Sequence, residues 1–145
     1  MSLRLEGVFA ADAGVLIDLV YGTEKGVALR EALLSDSVAL ITHELALVEL
    51  RYILCRRLGR KEAWARVDKL LASGYLIIED ASELMEDAAL LKCERRISLP
   101  DCFTLALADK MRVTALFAQR EAELDREMES RAFNVNIGFL SDLSV

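Results

Sequence analysis

Apolar residues fall along the chain in two alternating textures. Short dense runs such as VFAA, VALI, YLII, TALF and NVNIGF are separated by longer stretches whose apolar positions recur every third or fourth residue. The dense runs have the length and the β-branched or aromatic content of buried strands, and the periodic stretches read as helices. The pattern predicts strands over Val8–Ala11, Val38–Ile41, Tyr75–Ile78, Thr114–Phe117 and Asn134–Phe139. It predicts helices over Val15–Val20, Glu24–Leu34, Lys61–Ala72, Ser82–Arg95, Pro100–Met111 and Gln119–Ser130. A long helix opens with Thr42 as its N-cap, runs to Leu58 and ends at Gly59. Strands alternating with helices specify an α/β domain with a central, mostly parallel sheet. Sites in such sheets form beyond the carboxyl ends of the strands, so residues directly after each strand carry the functional interest.

Composition narrows the class. At 145 residues the chain has the size of a single domain spanning residues 1–145 and long enough to bury a real core. Hydrophobic residues make up 54% of it, with one proline, which excludes a disordered segment. Charged residues at 29% and the lack of any long uncharged apolar run exclude a membrane span. The start of the chain lacks the charged and apolar regions of a secretory signal. Cys55, Cys93 and Cys102 form no CxxC pair and lie within apolar helical patterns, which suits reduced, buried thiols in a cytoplasmic protein. With His43 the only histidine and no CxxC pair, the sequence disfavours a Cys/His zinc site. The formal net charge of −6 disfavours a whole-surface grip on nucleic acid and leaves room for a local basic patch.

Three acids stand out. Asp12 directly follows the first strand, where it serves either as a helix N-cap or as a carboxylate at the sheet edge. Glu49 lies mid-helix with Leu45, Tyr52 and Ile53 at helical spacing; an ionised glutamate there needs either an arginine, such as Arg51 or Arg56, or a metal. Glu44, in the first turn of the same helix, simply suits the helix dipole. Asp101 follows the lone Pro100, and Pro100 suits the first helical position. With Ser98 three residues earlier, Asp101 also resembles part of a capping box. Taken together, clustered carboxylates repel and raise each other's pKa, and a hard divalent cation, Mg²⁺ or Mn²⁺, relieves that repulsion.

The stretches DAGVLIDLV, ELALVELRYIL, and SLPDCFTLALA followed by VTALFA, in that order, resemble PIN domains, and most of all archaeal-like toxins of the VapC type. The likeness covers nearly the whole chain. It implies a three-layer α/β/α sandwich around a five-stranded parallel sheet, and a Mg²⁺- or Mn²⁺-dependent ribonuclease. Asp12, Glu49 and Asp101 then correspond to the first three acids, holding the metal directly or through water. The family's fourth acid is an aspartate, accompanied by a hydroxyl residue, soon after the Thr114–Phe117 strand. Here the text is LFAQREAEL, with Arg120 near the expected position. Glu121 is the nearest acid, with Glu123 and Asp125 as further candidates on what otherwise reads as a solvated charged helix. The resemblance also implies a homodimer and a VapB-type antitoxin.

Two basic groups offer phosphate contacts or ordinary surface charge: Arg51, Arg56, Arg57, Arg60 and Lys61, and then Lys92, Arg95 and Arg96. Tyr52 and Trp64 suit core or dimer surface. On the long helix Leu47, Leu50, Leu54 and Leu58 make one apolar stripe and Val48, Tyr52 and Cys55 a second, either both buried or one left for a partner. The leading function is therefore a metal-dependent endoribonuclease acting on RNA, the toxin of a toxin–antitoxin pair. The alternative is a degenerate PIN-like module that binds protein or RNA without cleavage, motivated by the missing aspartate. A phosphotransfer enzyme with Asp12 as nucleophile ranks lower: DAGVL lacks a second acid two residues on, and no GxxxxGK[ST] loop is present.

Overall fold

A computed structural model describes residues 3–144; residues 1, 2 and 145, part of the single-domain reading, lie outside it. In chain order the elements are β1 (Gly7–Ala11), α1 (Ala13–Tyr21), α2 (Glu24–Leu34), β2 (Val38–His43), α3 (Glu44–Leu58) and α4 (Arg60–Ala72). They continue with β3 (Leu76–Glu79), a 3₁₀ turn (Ala81–Leu84), α5 (Met85–Glu94), α6 (Leu99–Met111), β4 (Thr114–Phe117), α7 (Ala122–Ser130), β5 (Ile137–Phe139) and a last 3₁₀ turn (Leu140–Asp142).

The strands form one sheet in the order β3-β2-β1-β4-β5, every pairing parallel. Period-two alternation divides its side chains between two cores. Phe9, Ala11, Leu40 and Leu116 pack with Leu16, Leu29, Leu50, Leu54 and Val67 of α1–α4. Ala10, Ile41, Ala115 and Phe117 face the other way, onto Ala88, Leu105, Leu107 and Leu124 of α5–α7. Both faces being covered explains why the strands read as continuous apolar runs, and it makes the three-layer sandwich. Strand order reverses between β1 and β4, so the switch point lies beyond the carboxyl ends of these two strands.

Several local expectations change. Thr42 is a strand residue, not a cap: its buried hydroxyl donates to the Ala11 carbonyl at 2.8 Å. His43 caps α3 instead, its Nδ1 accepting from the Ala46 N–H at 3.1 Å. Its proton therefore sits on Nε2, 2.9 Å from the Thr104 hydroxyl. Burial holds its pKa down to about 4, so the ring is neutral. Pro100 is the second residue of α6, behind Leu99. The predicted Gln119–Ser130 helix starts only at Ala122, and the last strand is confined to Ile137–Phe139.

Cys102 is buried, but Cys55 is half-buried and Cys93 exposed, because Cys93 lies on the outer face of α5. Of the two stripes on α3, Leu50 and Leu54 enter the core, whereas Val48 and Tyr52 stay 57% and 42% exposed. Trp64 is likewise a surface residue. Among the described residues no helix is long and apolar enough to cross a membrane.

Candidate active site

Asp12 leaves β1 at the switch point. Its N–H donates to the Leu116 carbonyl at 3.1 Å, continuing the β1–β4 ladder by one residue. Its Oδ1 accepts from the Val15 N–H at 3.1 Å, so it caps α1. Cap and sheet-edge carboxylate are thus one and the same residue. Gly14 sits directly beneath: a Cβ there would lie 3.5 Å from both Asp12 carboxylate oxygens and 2.9 Å from the Ala118 Cβ. The missing side chain is what lets β4 and the Asp12 carboxylate approach the start of α1 so closely.

Glu49 projects from α3 in a half-buried position. The Tyr52 hydroxyl donates to its Oε2 at 3.4 Å. The arginines expected as partners are engaged elsewhere, Arg51 over the Trp64 ring at 5.5 Å and Arg56 over Tyr52 at 5.0 Å. Glu44 keeps a structural role, accepting from the Ala81 N–H at 2.9 Å. Asp101 is the third residue of α6, and its N–H donates to the capping Ser98 hydroxyl at 3.3 Å. Glu121 occupies the cap position of α7 without making a side-chain cap bond, so its carboxylate is free to face outward.

Asp12, Glu49, Asp101 and Glu121 line one cleft of about 740 Å³. Glu123 and Asp125 do not line it: Glu123 points to a different surface hollow, and Asp125 pairs with Arg120 at 3.4 Å. Arg120, near the position where the resemblance expects an aspartate, also stays out of the cleft. Its guanidinium bonds Asp142 at 3.0 Å and lies 4.5 Å from the centre of the Phe139 ring. The Arg120 guanidinium is therefore directed away from the acids.

Electrostatics records how close the acids are. Burial lifts the Asp12 carboxyl to about 8; the Val15 hydrogen bond opposes this, and repulsion from Asp101, Glu49 and Glu121 reinforces it. Asp101 is raised to about 6, by burial first and then by Glu121, with the Ser98 hydrogen bond opposing and Glu49 and Glu123 adding. Glu49 is raised by burial, with Tyr52 opposing and Glu121 adding. No cation of the chain figures among these causes. Four carboxylates without a cationic partner form a hard, all-oxygen donor set that suits Mg²⁺ or Mn²⁺ and not zinc. Among the described residues no three acidic, His or Cys side chains are drawn tightly enough to grip one ion directly. Mg²⁺ keeps several of its waters, so acids spread around a cleft fit it through a mixture of direct and water-mediated contacts.

The second basic group is largely structural. Arg95, with a 6% exposed side chain, donates to the carbonyls of Glu127, Arg131 and Ala132 at 3.3, 2.6 and 3.0 Å, and its guanidinium lies 3.9 Å from the centre of the Phe133 ring. Lys92 bonds the Ile97 carbonyl at 2.7 Å. Arg95 is not available to phosphate, whereas Lys92 keeps two further N–H donors but does not line the cleft of the acids. The roles of Gly14 and Thr42 at the site carry only faint sequence signals: a glycine in the first turn of a helix, and a hydroxyl closing an apolar strand.

Residues 10–126 match the PIN domain family, and the chain belongs to that family. Among solved structures it is similar to VapBC2 from Rickettsia felis, bound to a DNA fragment from its promoter, with a TM-score of 0.69 and 15% identity over 91% of this chain and 98% of that one. It is similar to VapC20 of Mycobacterium tuberculosis, a sarcin-ricin loop cleaving toxin, with a TM-score of 0.63 and 20% identity over 81% and 93%. DNA-bound VapBC from Salmonella typhimurium aligns with a TM-score of 0.63 and 17% identity over 94% and 99%. No curated protein matches the chain by sequence.

Proposed function

We propose that this chain is a Mg²⁺- or Mn²⁺-dependent endoribonuclease and the toxin of a toxin–antitoxin pair. The observation that carries the reading is the meeting of Asp12, Glu49, Asp101 and Glu121 in one cleft at the switch point of a PIN fold. Asp12, Asp101 and Glu49 would hold the metal, with Glu121 as the fourth acid. The bound ion would supply charge neutralisation at the scissile phosphate and an oriented attacking water. The chain's own part is positional. Thr42 and the β1–β4 ladder fix Asp12, the Ser98 cap fixes the turn bearing Asp101, and both carboxyls, raised in the metal-free chain, would release their protons on taking up the ion.

A VapB-type antitoxin and a homodimer complete the reading. The VapBC relatives support the first, and the exposed Val48, Tyr52 and Trp64 on α3 and α4 support a buried interface. The three unpaired cysteines suit the cytoplasm. The degenerate-module alternative draws on Arg120 and on the open spacing of the acids. The test is cleavage of RNA by the purified chain freed of any antitoxin. Cleavage with Mg²⁺ or Mn²⁺, lost on chelation and in Asp12→Asn and Asp101→Asn, is the expected result. No cleavage with either ion would overturn the reading.

A further inference from the structure

An acidic catalytic cleft on a chain of net charge −6 repels a polyanion, so substrate must be held by cations set beside the acids. The cleft is lined by two, Lys25 and Arg57. Arg57 lies two turns beyond Glu49 on α3, with Ile53 between them, and all three face the cleft along one i, i+4, i+8 ridge. At 1.5 Å of rise per residue, Arg57 stands about 12 Å along the helix from Glu49. That is too far to neutralise the acids, yet near enough to meet the same bound strand. Lys25 is the second residue of α2 and lines the same cleft.

Both cations keep N–H donors open. Among the described residues neither forms an ion pair, although Asp18 and Glu24 line the same cleft. Asp18 accepts instead from the Thr23 hydroxyl at 3.1 Å. Arg57 is set by the Tyr21 ring, with its guanidinium carbon 5.8 Å from the ring centre, which leaves its N–H fork open. Lys25 donates to the Leu143 carbonyl and keeps two further N–H donors. Arg51 and Arg56, also on α3, lie over Trp64 and Tyr52 and do not line the cleft.

We propose that Lys25 and Arg57 are the substrate-backbone contacts of this site, gripping RNA phosphates flanking the scissile one. The strand thereby runs along the α1–α2–α3 side of the cleft. The proposal rests on the ribonuclease reading and assigns the residues that separate binding from chemistry. The experiment is fluorescence anisotropy with a labelled single-stranded RNA across a salt series, in the Asp12→Asn background with Mg²⁺ and, in parallel, with the unsubstituted chain in EDTA. Arg57→Gln and Lys25→Gln should each weaken binding about tenfold. Each should also lower the slope of log affinity against log salt by about 0.7. Arg66→Gln, the same charge change at an exposed pair with Glu62 on α4, should leave both unchanged. In a cleavage assay Arg57→Gln should raise KM and leave kcat near its original value. Equal binding by Arg57→Gln and the parent, an equal loss in Arg66→Gln, or no RNA binding at any salt overturns the proposal. Failure of the ribonuclease reading appears separately, as RNA bound through Lys25 and Arg57 but never cut.

Discussion

Replacing Asp12 with Asn should stabilise the metal-free protein, and increasingly so as pH rises. The native carboxyl keeps its proton up to about 8, whereas the unfolded chain releases it near the ordinary value of 3.8. Between those values the native state binds more protons than the unfolded one, so stability falls as pH rises through the window. Each pKa unit corresponds to about 1.4 kcal/mol, which gives an upper bound of about 6 kcal/mol over the full shift. The carboxyl opens onto a wet cleft, and solvent screening reduces the expected gain to about 2–3 kcal/mol at pH 8. Asparagine is as good an N-cap as aspartate, so the bond to Val15 N–H survives. For a chain of this size the gain corresponds to a rise in Tm of about 7 °C. His43 acts in the opposite sense: its pKa lies at about 4 in the native state against 6.5 unfolded, so its contribution is lost as pH falls through that range. It is common to both proteins and cancels in their difference. Thermal unfolding followed by circular dichroism in EDTA, at intervals from pH 5 to pH 8, reads that difference. A variant that melts below the parent, or a gap equal at pH 5 and pH 8, would refute the assignment of Asp12 as a carboxyl held protonated by burial and repulsion.

Gly14→Ala should destabilise by about 1–2 kcal/mol in urea unfolding, despite the usual helix preference for Ala, because its Cβ would meet the Ala118 Cβ at 2.9 Å. Arg95→Met should lower the urea midpoint by the equivalent of about 3 kcal/mol, since three carbonyls would lose their donor in a buried position. Glu121→Gln should slow RNA cleavage at least about tenfold, whereas Glu123→Gln and Asp125→Asn should stay within about twofold, as neither lines the cleft.

The order of strands and helices is readable from the chain because both sheet faces are covered and the strands become unbroken apolar runs. The acids Asp12, Glu49 and Asp101 are readable only as a set, since Glu49 alone breaks a local expectation and the other two pass as a cap and a first-turn acid. What escapes is whatever depends on a distant partner. Thr42 looks like a cap until the Ala11 carbonyl of the neighbouring strand claims its hydroxyl. Arg95 looks like a surface cation until the end of α7 supplies three carbonyls and the Phe133 ring. The Gln119–Glu121 loop looks helical because its charges match those of α7, yet Arg120 is drawn to Asp142, twenty-two positions on. The same tie leaves Glu121 at the cleft, which neither Glu123 nor Asp125 lines.

Isothermal titration of Mn²⁺ into the antitoxin-free chain at pH 8 tests the four-acid site most directly. At that pH the carboxyls of Asp12 and Asp101 can give up their protons to a metal. Stoichiometric binding, abolished by Asp12→Asn and weakened by Glu121→Gln but not by Glu123→Gln, is the predicted result. Absence of Mn²⁺ binding, or binding indifferent to Asp12→Asn, would contradict the site and leave a PIN fold without its metal chemistry.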